Sequence, residues 1–244
     1  YKKIMFRNLL SNMSPAVKNI LILNLIFFFA QWALPQFMPN LRLYPFGSEN
    51  FQPWQLATHF FMHGGLGHLF FNMFALVIFG SNLERVWGPQ RFVFYYIACA
   101  FGAALLHMLV NYMRIQGLEA QLSFTDIEQV YNEGFDLLNT GYNYQGAAGE
   151  LNLLLNIPML GASGAVFGLL AAFGYLFPNT QLMLLFPPIP IKAKFFVIGY
   201  AALELYLGFA NNPSDNVAHF AHLGGALVGI IIVLYWQKNK NQFF

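Results

Sequence analysis

Six apolar segments separated by polar links constrain the fold of this chain more than any other feature of its sequence. They lie at about 16–34, 68–83, 92–112, 163–177, 193–210 and 217–236. Only 9% of the residues are charged, against about 25% in a soluble domain, and this low charge suits burial in lipid. We therefore predict an all-α polytopic membrane protein, in which residues 1–244 form a single six-helix domain in the lipid bilayer.

The distribution of Lys and Arg predicts the orientation of the six segments, because cytoplasmic loops carry an excess of basic residues. With six spans, both ends of the chain lie on one side of the membrane. Arg42 and Arg114 fall on the opposite side, so we expect both termini to be cytoplasmic, in a bacterial cytoplasmic membrane. The other ten of the twelve basic residues fall on the side of the termini: Lys2, Lys3, Arg7, Lys18, Arg85, Arg91, Lys192, Lys194, Lys238 and Lys240.

Residues from about 113 to 160 are too polar for the membrane and are predicted to lie on the extracytoplasmic side. The sequence Thr125-x-x-Glu128 has the form of a capping box. Residues 141–149 are rich in glycine and favour a turn. Between these two stretches we expect an amphipathic helix, since apolar side chains recur at near-helical spacing: Ile127, Val130, Tyr131, Phe135 and Leu138.

The fourth apolar segment is short and begins at a serine among small residues, in the sequence Gly161-Ala-Ser163-Gly164-Ala-Val-Phe167-Gly168. Its 15 residues fall short of the roughly 20 that span a bilayer, so the helix is expected to start at membrane depth. Non-helical backbone at that depth must be buried in protein or line a wet cavity. Ser163 is therefore a candidate nucleophile. The simpler alternative is that Gly164-x-x-x-Gly168 is only a seam for helix packing.

Polar side chains in the other spans supply the remaining parts of an acyl-transfer site. His68 and Asn72 share one face of the second segment, and the sixth opens with His219 and His222. The predicted topology puts all four in the outer half of the bundle with Ser163. A histidine can take the proton of a serine hydroxyl. The Asn72 amide, a His68 N–H and the backbone N–H groups at the start of the Ser163 helix can stabilise an oxyanion.

No acidic residue accompanies the two histidines of the sixth segment, and Glu204 is the only carboxylate in the middle of a span. These residues therefore favour a Ser-His dyad over a triad. Each also has a structural interpretation: either histidine can be an ordinary core residue, Asn72 can bond a neighbouring helix, and Glu204 can be an interior hydrogen-bonding group.

A metal site is a further alternative, because His59, His63 and His68 lie close together in the sequence. However, Phe60, Phe61 and Met62 fill the spacing in which an HExxH motif has its glutamate. We therefore expect no metal and no other cofactor. Nothing in the sequence suggests a nucleic-acid partner.

Three of these motifs, and their order along the chain, resemble those of the rhomboid intramembrane serine proteases, in their basic six-helix bacterial form. Residues 161–168 are similar to the family's GxSG motif with the aromatic residue that follows it, and residues 221–229 to its AHxxGxxxG motif. His68-x-x-x-Asn72 is similar to its HxxxN motif, and Leu83-Glu84 with Gly88 and Arg91-Phe92 to the turn after the second helix. The resemblance covers residues 17–235 apart from 113–160.

The resemblance implies a role for each of these residues. Ser163 would be the nucleophile and His222 the general base, while His68, Asn72 and the Ser163 backbone N–H would form the oxyanion hole. The supporting residues would be Gly161, Gly164, Phe167 and His219, although His219 is not the motif position.

Two positions depart from the family pattern. Gln55 follows Trp54 where the family often has Arg, and Phe167 stands where a tyrosine often stacks on the base. The implied function is an endopeptidase that cuts transmembrane segments of single-pass proteins, or their margins. The main alternative is a catalytically inactive rhomboid-like protein that binds membrane helices. A transporter is disfavoured, since the first three spans have no matching half in the last three.

Overall fold

Helices account for nearly all the regular structure in the computed structural model, which describes residues 13–183, 188–210 and 217–239. Five helices of the described part are long and apolar enough to cross a membrane. They are α1 (Pro15–Ala33), α2 (Leu66–Trp87, with a π-helical turn at Leu76–Gly80), α3 (Pro89–Glu119), α7 (Ala193–Ala210) and α8 (His219–Lys238). Between α3 and α7 lie α4 (Phe124–Asn139), α5 (Gly146–Asn156) and the short apolar helix α6 (Ser163–Leu176). The predicted all-α polytopic membrane fold is thus confirmed.

The short helix α6 lies at the centre of the bundle, packed against α3, α7 and α8. Its 14 residues rise about 21 Å, less than the roughly 30 Å of a hydrocarbon core. Every residue from Gly164 to Gly174 is buried. Protein rather than lipid therefore surrounds this helix, including its N-terminal end after Ser163.

Glycines bring α6 into backbone contact with its neighbours. A methyl group at Gly225 of α8 would overlap the Gly164 carbonyl oxygen, and one at Gly168 would overlap Cys99 of α3. The Tyr95 hydroxyl of α3 donates a 2.6 Å hydrogen bond to the Gly168 carbonyl oxygen. The packing seam of small residues is therefore present, and it places the start of α6 beside the start of α8.

A carboxylate joins the first helix to the second. The two oxygens of Glu84, a buried residue near the end of α2, accept hydrogen bonds of 2.9 Å from the backbone N–H groups of Ala16 and Val17. These groups belong to the first turn of α1, where N–H groups have no partner within the helix. The negative charge is also favourable at this end of the helix dipole.

The polar region forms a helical hairpin of α4 and α5 that packs on the extension of α3 beyond Tyr112. The predicted amphipathic helix is present as α4, but the expected cap is wrong. Ser123, not Thr125, is the N-cap, and its hydroxyl accepts a hydrogen bond from the Asp126 backbone N–H. The turn predicted at 141–149 is also too long, because α5 already begins at Gly146.

The loop between α1 and α2, residues 34–65, is hydrogen-bonded to the segment that leads into α6. Leu43 and Met159 exchange backbone hydrogen bonds of 2.9 and 2.8 Å, and the Gly161 N–H donates to the His59 carbonyl oxygen at 2.9 Å. Gln55 is fully buried in the one-turn helix Gln55–Thr58. Its side chain donates to the Asn50 carbonyl oxygen and accepts from the backbone N–H of Tyr44. Gln55 thus ties the loop together internally.

One element of the described structure was not expected from the sequence. A two-stranded antiparallel sheet, β1 (Gln181–Met183) and β2 (Pro190–Lys192), connects α6 to α7 and was not predicted. The charge argument for orientation rests partly on Lys2, Lys3, Arg7 and Lys240, which lie outside the described residues. Five of the other six basic residues of that set lie at the ends of α1, α2, α3, α7 and α8 that share one side of the bundle, and the sixth, Lys192, ends β2 directly before α7.

Candidate active site

Ser163 occupies the first turn of α6, where the chain turns out of an extended segment into the helix. The preceding Gly161 has φ of +119°, a conformation that favours glycine. A side chain there would also lie 2.7 Å from the His68 ring. Position 161 therefore requires glycine for two reasons: the backbone conformation, and the lack of room for a side chain. The absence of a side chain lets the His68 ring lie next to the segment that leads to Ser163.

His222 lies one turn into α8 and faces the serine. Its Nε2 atom is 2.9 Å from the Ser163 Oγ atom, a hydrogen-bond distance. The ring is buried and stacks on Phe167, with ring centroids 4.2 Å apart and planes within 4°. Phe167 in turn contacts Tyr200 of α7, at 4.7 Å between centroids. Phe167 thus stacks on the imidazole although it lacks a hydroxyl group.

A carboxylate completes this hydrogen-bond chain, which corrects the expectation of an unaccompanied Ser-His pair. Glu204 of α7 is buried, and its Oε2 atom lies 2.9 Å from the Nδ1 atom of His222. The same oxygen lies 2.6 Å from the Nδ1 atom of His219. The sequence did contain a signal, because a carboxylate in the middle of a membrane span requires partners. It did not show which residues these partners were, since α7 and α8 are separate elements.

The two side chains predicted for the oxyanion hole both belong to α2. The His68 ring occupies the space that a side chain at position 161 would need. The buried Asn72 amide donates a 3.0 Å hydrogen bond to the His68 carbonyl oxygen one turn earlier. A carboxamide carries two N–H donors, so this bond uses one of them.

Two of the three histidines considered as metal ligands, His63 and His68, are neighbours, and the third, His59, is hydrogen-bonded elsewhere. The His59 Nδ1 atom lies 2.8 Å from the Gln55 carbonyl oxygen. His63 is buried beside His68, with ring centroids 5.0 Å apart. Burial and the neighbouring His68 lower the pKa of His63 to about 4, so this ring is neutral near pH 7. In the described part of the chain, the ligand atoms that converge within 4.8 Å are instead those of Glu204, His219 and His222.

Comparison with known proteins gives a consistent result. Residues 50–239 match the family profile of the Rhomboid domain. RHOMBOID-like protein 12, mitochondrial, of Arabidopsis thaliana is 29% identical over 223 residues, which are 88% of this chain and 56% of that protein. Rhomboid protein 1, mitochondrial, of Saccharomyces cerevisiae is 26% identical over 212 residues, which are 86% of this chain and 50% of that protein. The chain thus spans about half the length of these two relatives.

A bacterial relative is also found. Rhomboid protease AarA of Providencia stuartii is 27% identical over 228 residues, which are 87% of this chain and 69% of that protein. The five apolar spans support an integral membrane protein. Since mitochondrial and bacterial proteins both match, the comparisons do not support the expectation of a bacterial cytoplasmic membrane.

Proposed function

The chain belongs to the rhomboid family, and on this premise we propose that it is an intramembrane serine endopeptidase that cleaves membrane-spanning segments of other proteins or their margins. The observation that carries the proposal is the 2.9 Å contact between Ser163 Oγ and His222 Nε2 at the start of a buried helix. Relatives named as proteases support it.

In the proposed reaction, Ser163 Oγ attacks the scissile carbonyl carbon while His222 Nε2 takes the hydroxyl proton. The oxyanion is stabilised by the Ser163 backbone N–H, the His68 ring and the second amide N–H of Asn72. His222 then gives its proton to the leaving amine as the C–N bond breaks. Water attacks the acyl-serine in the second half-reaction, with His222 again acting as the base, and Ser163 is regenerated.

A substrate helix has to reach this site from the lipid, and α7 offers the route. Only 11% of the residues in the most apolar stretch of α7 are buried inside the protein, against 28–44% in the other four long helices. Its exposed side chains include Phe195, Ile198 and Tyr206. We place substrate entry beside this helix, between α2 and α7, which is compatible with single-pass membrane proteins as substrates.

The orientation is part of the same proposal. The side with the basic residues is the cytoplasmic side in a bacterial membrane, and the hairpin of α4 and α5 lies on the opposite side. Both termini then face the cytoplasm.

The test is cleavage of a single-span substrate in liposomes, with labelling by a serine-directed fluorophosphonate. Ser163→Ala, His222→Ala and the double variant should lose nearly the same activity, because residues acting as one unit are not additive. Ser81→Ala, which removes another buried hydroxyl in α2, is the matched control and should remain active. Full activity of Ser163→Ala would refute the mechanism. Absence of cleavage and labelling in the unaltered protein would favour the alternative of an inactive helix-binding protein.

A further inference from the structure

We propose that Glu204 is a positioning residue for His222, so that the site works as a Ser-His-Glu relay rather than as a dyad. The inference deepens the proposed function and rests on it. Glu204 would fix the tautomer of His222 and stabilise the imidazolium that forms when Ser163 attacks. His219 would hold the carboxylate in place through a second hydrogen bond to the same oxygen.

The direction of each hydrogen bond follows from the atoms involved. A carboxylate only accepts hydrogen bonds, so the 2.9 Å contact between Glu204 Oε2 and His222 Nδ1 places a proton on Nδ1. A neutral imidazole has one protonated nitrogen, and Nε2 of His222 therefore presents its lone pair. That lone pair lies 2.9 Å from Ser163 Oγ. The arrangement is the one in which the ring can accept the serine proton.

The burial of Glu204 points to the same role. Its side chain is enclosed within an apolar helix pair, where a carboxylate is unfavourable unless it is hydrogen-bonded. Both bonds that it receives come from imidazoles of α8, at 2.6 Å from His219 and 2.9 Å from His222. Two donors on one oxygen restrict the rotation of the carboxylate. The tie also fixes α7, the exposed helix, to the helix that carries the base.

The distances fit direct hydrogen bonds better than a metal centre. Ligand atoms around a tetrahedral zinc, each about 2.0–2.1 Å from the ion, lie roughly 3.3 Å from one another. The two oxygen–nitrogen distances here are shorter, at 2.6 and 2.9 Å. An ion would have to push the three side chains apart before it could bind.

The proton inventory of the step is complete without another reagent. The Ser163 proton moves to His222 Nε2 as the bond between Oγ and the substrate carbon forms. The His222 ring then carries protons on both nitrogens, and Glu204 Oε2 faces the one on Nδ1. Glu204 remains ionised throughout, and the proton on Nε2 leaves with the amine when the peptide bond breaks.

Glu204→Gln is the informative variant, because it keeps the shape but offers an N–H to Nδ1 and so favours the wrong tautomer. We expect kcat to fall by about 10²–10⁴-fold with KM unchanged, as for other removals of such a carboxylate. Glu204→Asp should be more active than Glu204→Gln. The matched control is Glu84→Gln, which alters a buried carboxylate that bonds α1 and should leave kcat unchanged. In the unaltered protein labelled with ¹⁵N-histidine, His222 should be the Nδ1–H tautomer, and Glu204→Gln should convert it to the Nε2–H form.

The outcomes separate this inference from the proposed function. Full kcat in Glu204→Gln, with Ser163→Ala and His222→Ala inactive, would overturn the role of Glu204 alone. An unchanged His222 tautomer in an inactive Glu204→Gln would also overturn it. Loss of activity on chelation, restored by zinc, would replace the relay with a metal site. Full activity of Ser163→Ala would instead remove the proposed function itself.

Discussion

The close contact between α6 and α8 makes Gly225→Ala a test of how tightly helix packing controls the site. The added methyl group would lie 2.6 Å from the Gly164 carbonyl carbon, whereas ordinary contacts begin at 3.4 Å. Because the methyl group would also overlap the nearer Gly164 carbonyl oxygen, the backbones must separate by at least about 0.8 Å at this crossing, and neither atom belongs to a flexible side chain that could move instead. Gly164 follows Ser163 directly, and His222 lies three residues before Gly225, so the separation acts on both reacting groups.

The expected effect on activity is large. A shift of that size along the line that joins Ser163 Oγ and His222 Nε2 takes their distance from 2.9 Å to beyond hydrogen-bond reach. A misplacement near 1 Å lowers rates by on the order of 10²-fold. The overpacking itself should destabilise the fold by about 1–3 kcal/mol.

The assay is kcat on a single-span substrate in liposomes, with thermal unfolding of the same preparation in detergent. Gly199→Ala is the matched control, because no described atom lies within 4 Å of the position where its methyl group would go on α7. That variant should keep kcat and should not lower Tm, because alanine is the better helix former. Unaltered kcat and Tm in Gly225→Ala would refute the argument that this contact sets the geometry of the site. Equal losses in both variants would show that any new methyl group in these helices is harmful.

Three further predictions concern the oxyanion hole, the topology and the loop between α1 and α2. Asn72→Ala should keep the fold and lower kcat by about 10²–10³-fold, since it removes one oxyanion donor; an unchanged rate would assign Asn72 to packing. A cysteine at Glu133 should react with an impermeant maleimide only from the side opposite the termini, and labelling only from the side of the termini would refute the orientation. Gln55→Ala should destabilise the protein by about 1–3 kcal/mol in thermal unfolding, because the buried Tyr44 N–H loses its acceptor. The exposed Gln116→Ala is its control, and equal Tm values would contradict the role given to Gln55.

Sequence patterns predict the features of this protein that depend on local composition. The lipid-facing helices can be predicted because a membrane span needs a long run of apolar residues. The short apolar run after Ser163 predicts a helix that begins inside the bundle. The bond between Glu204 and His222 escaped prediction because it joins two helices whose rotation about their axes depends on side-chain packing. The choice of Ser123 over Thr125 as the cap of α4 depends on where the helix begins, which the capping pattern alone does not fix. The sheet before α7 pairs strands of only three residues, too short to give a periodic signal.

The backbone hydrogen bonds that join the loop between α1 and α2 to the segment before Ser163 determine where the chain can change in length. Leu43 and His59 are held by Met159 and Gly161, two residues that are nearly adjacent, so residues 44–58 form a closed loop on a fixed base. Doubling the length of such a loop costs only about 0.6 kcal/mol in closure entropy, and its exposed tip at Gly47 can accept insertions. An insertion between Met159 and Gly161 would instead force the base to open or the serine to move. Changes in length are therefore tolerated in the loop of residues 44–58, which is distant from Ser163 in the sequence, and excluded in the residues immediately before Ser163.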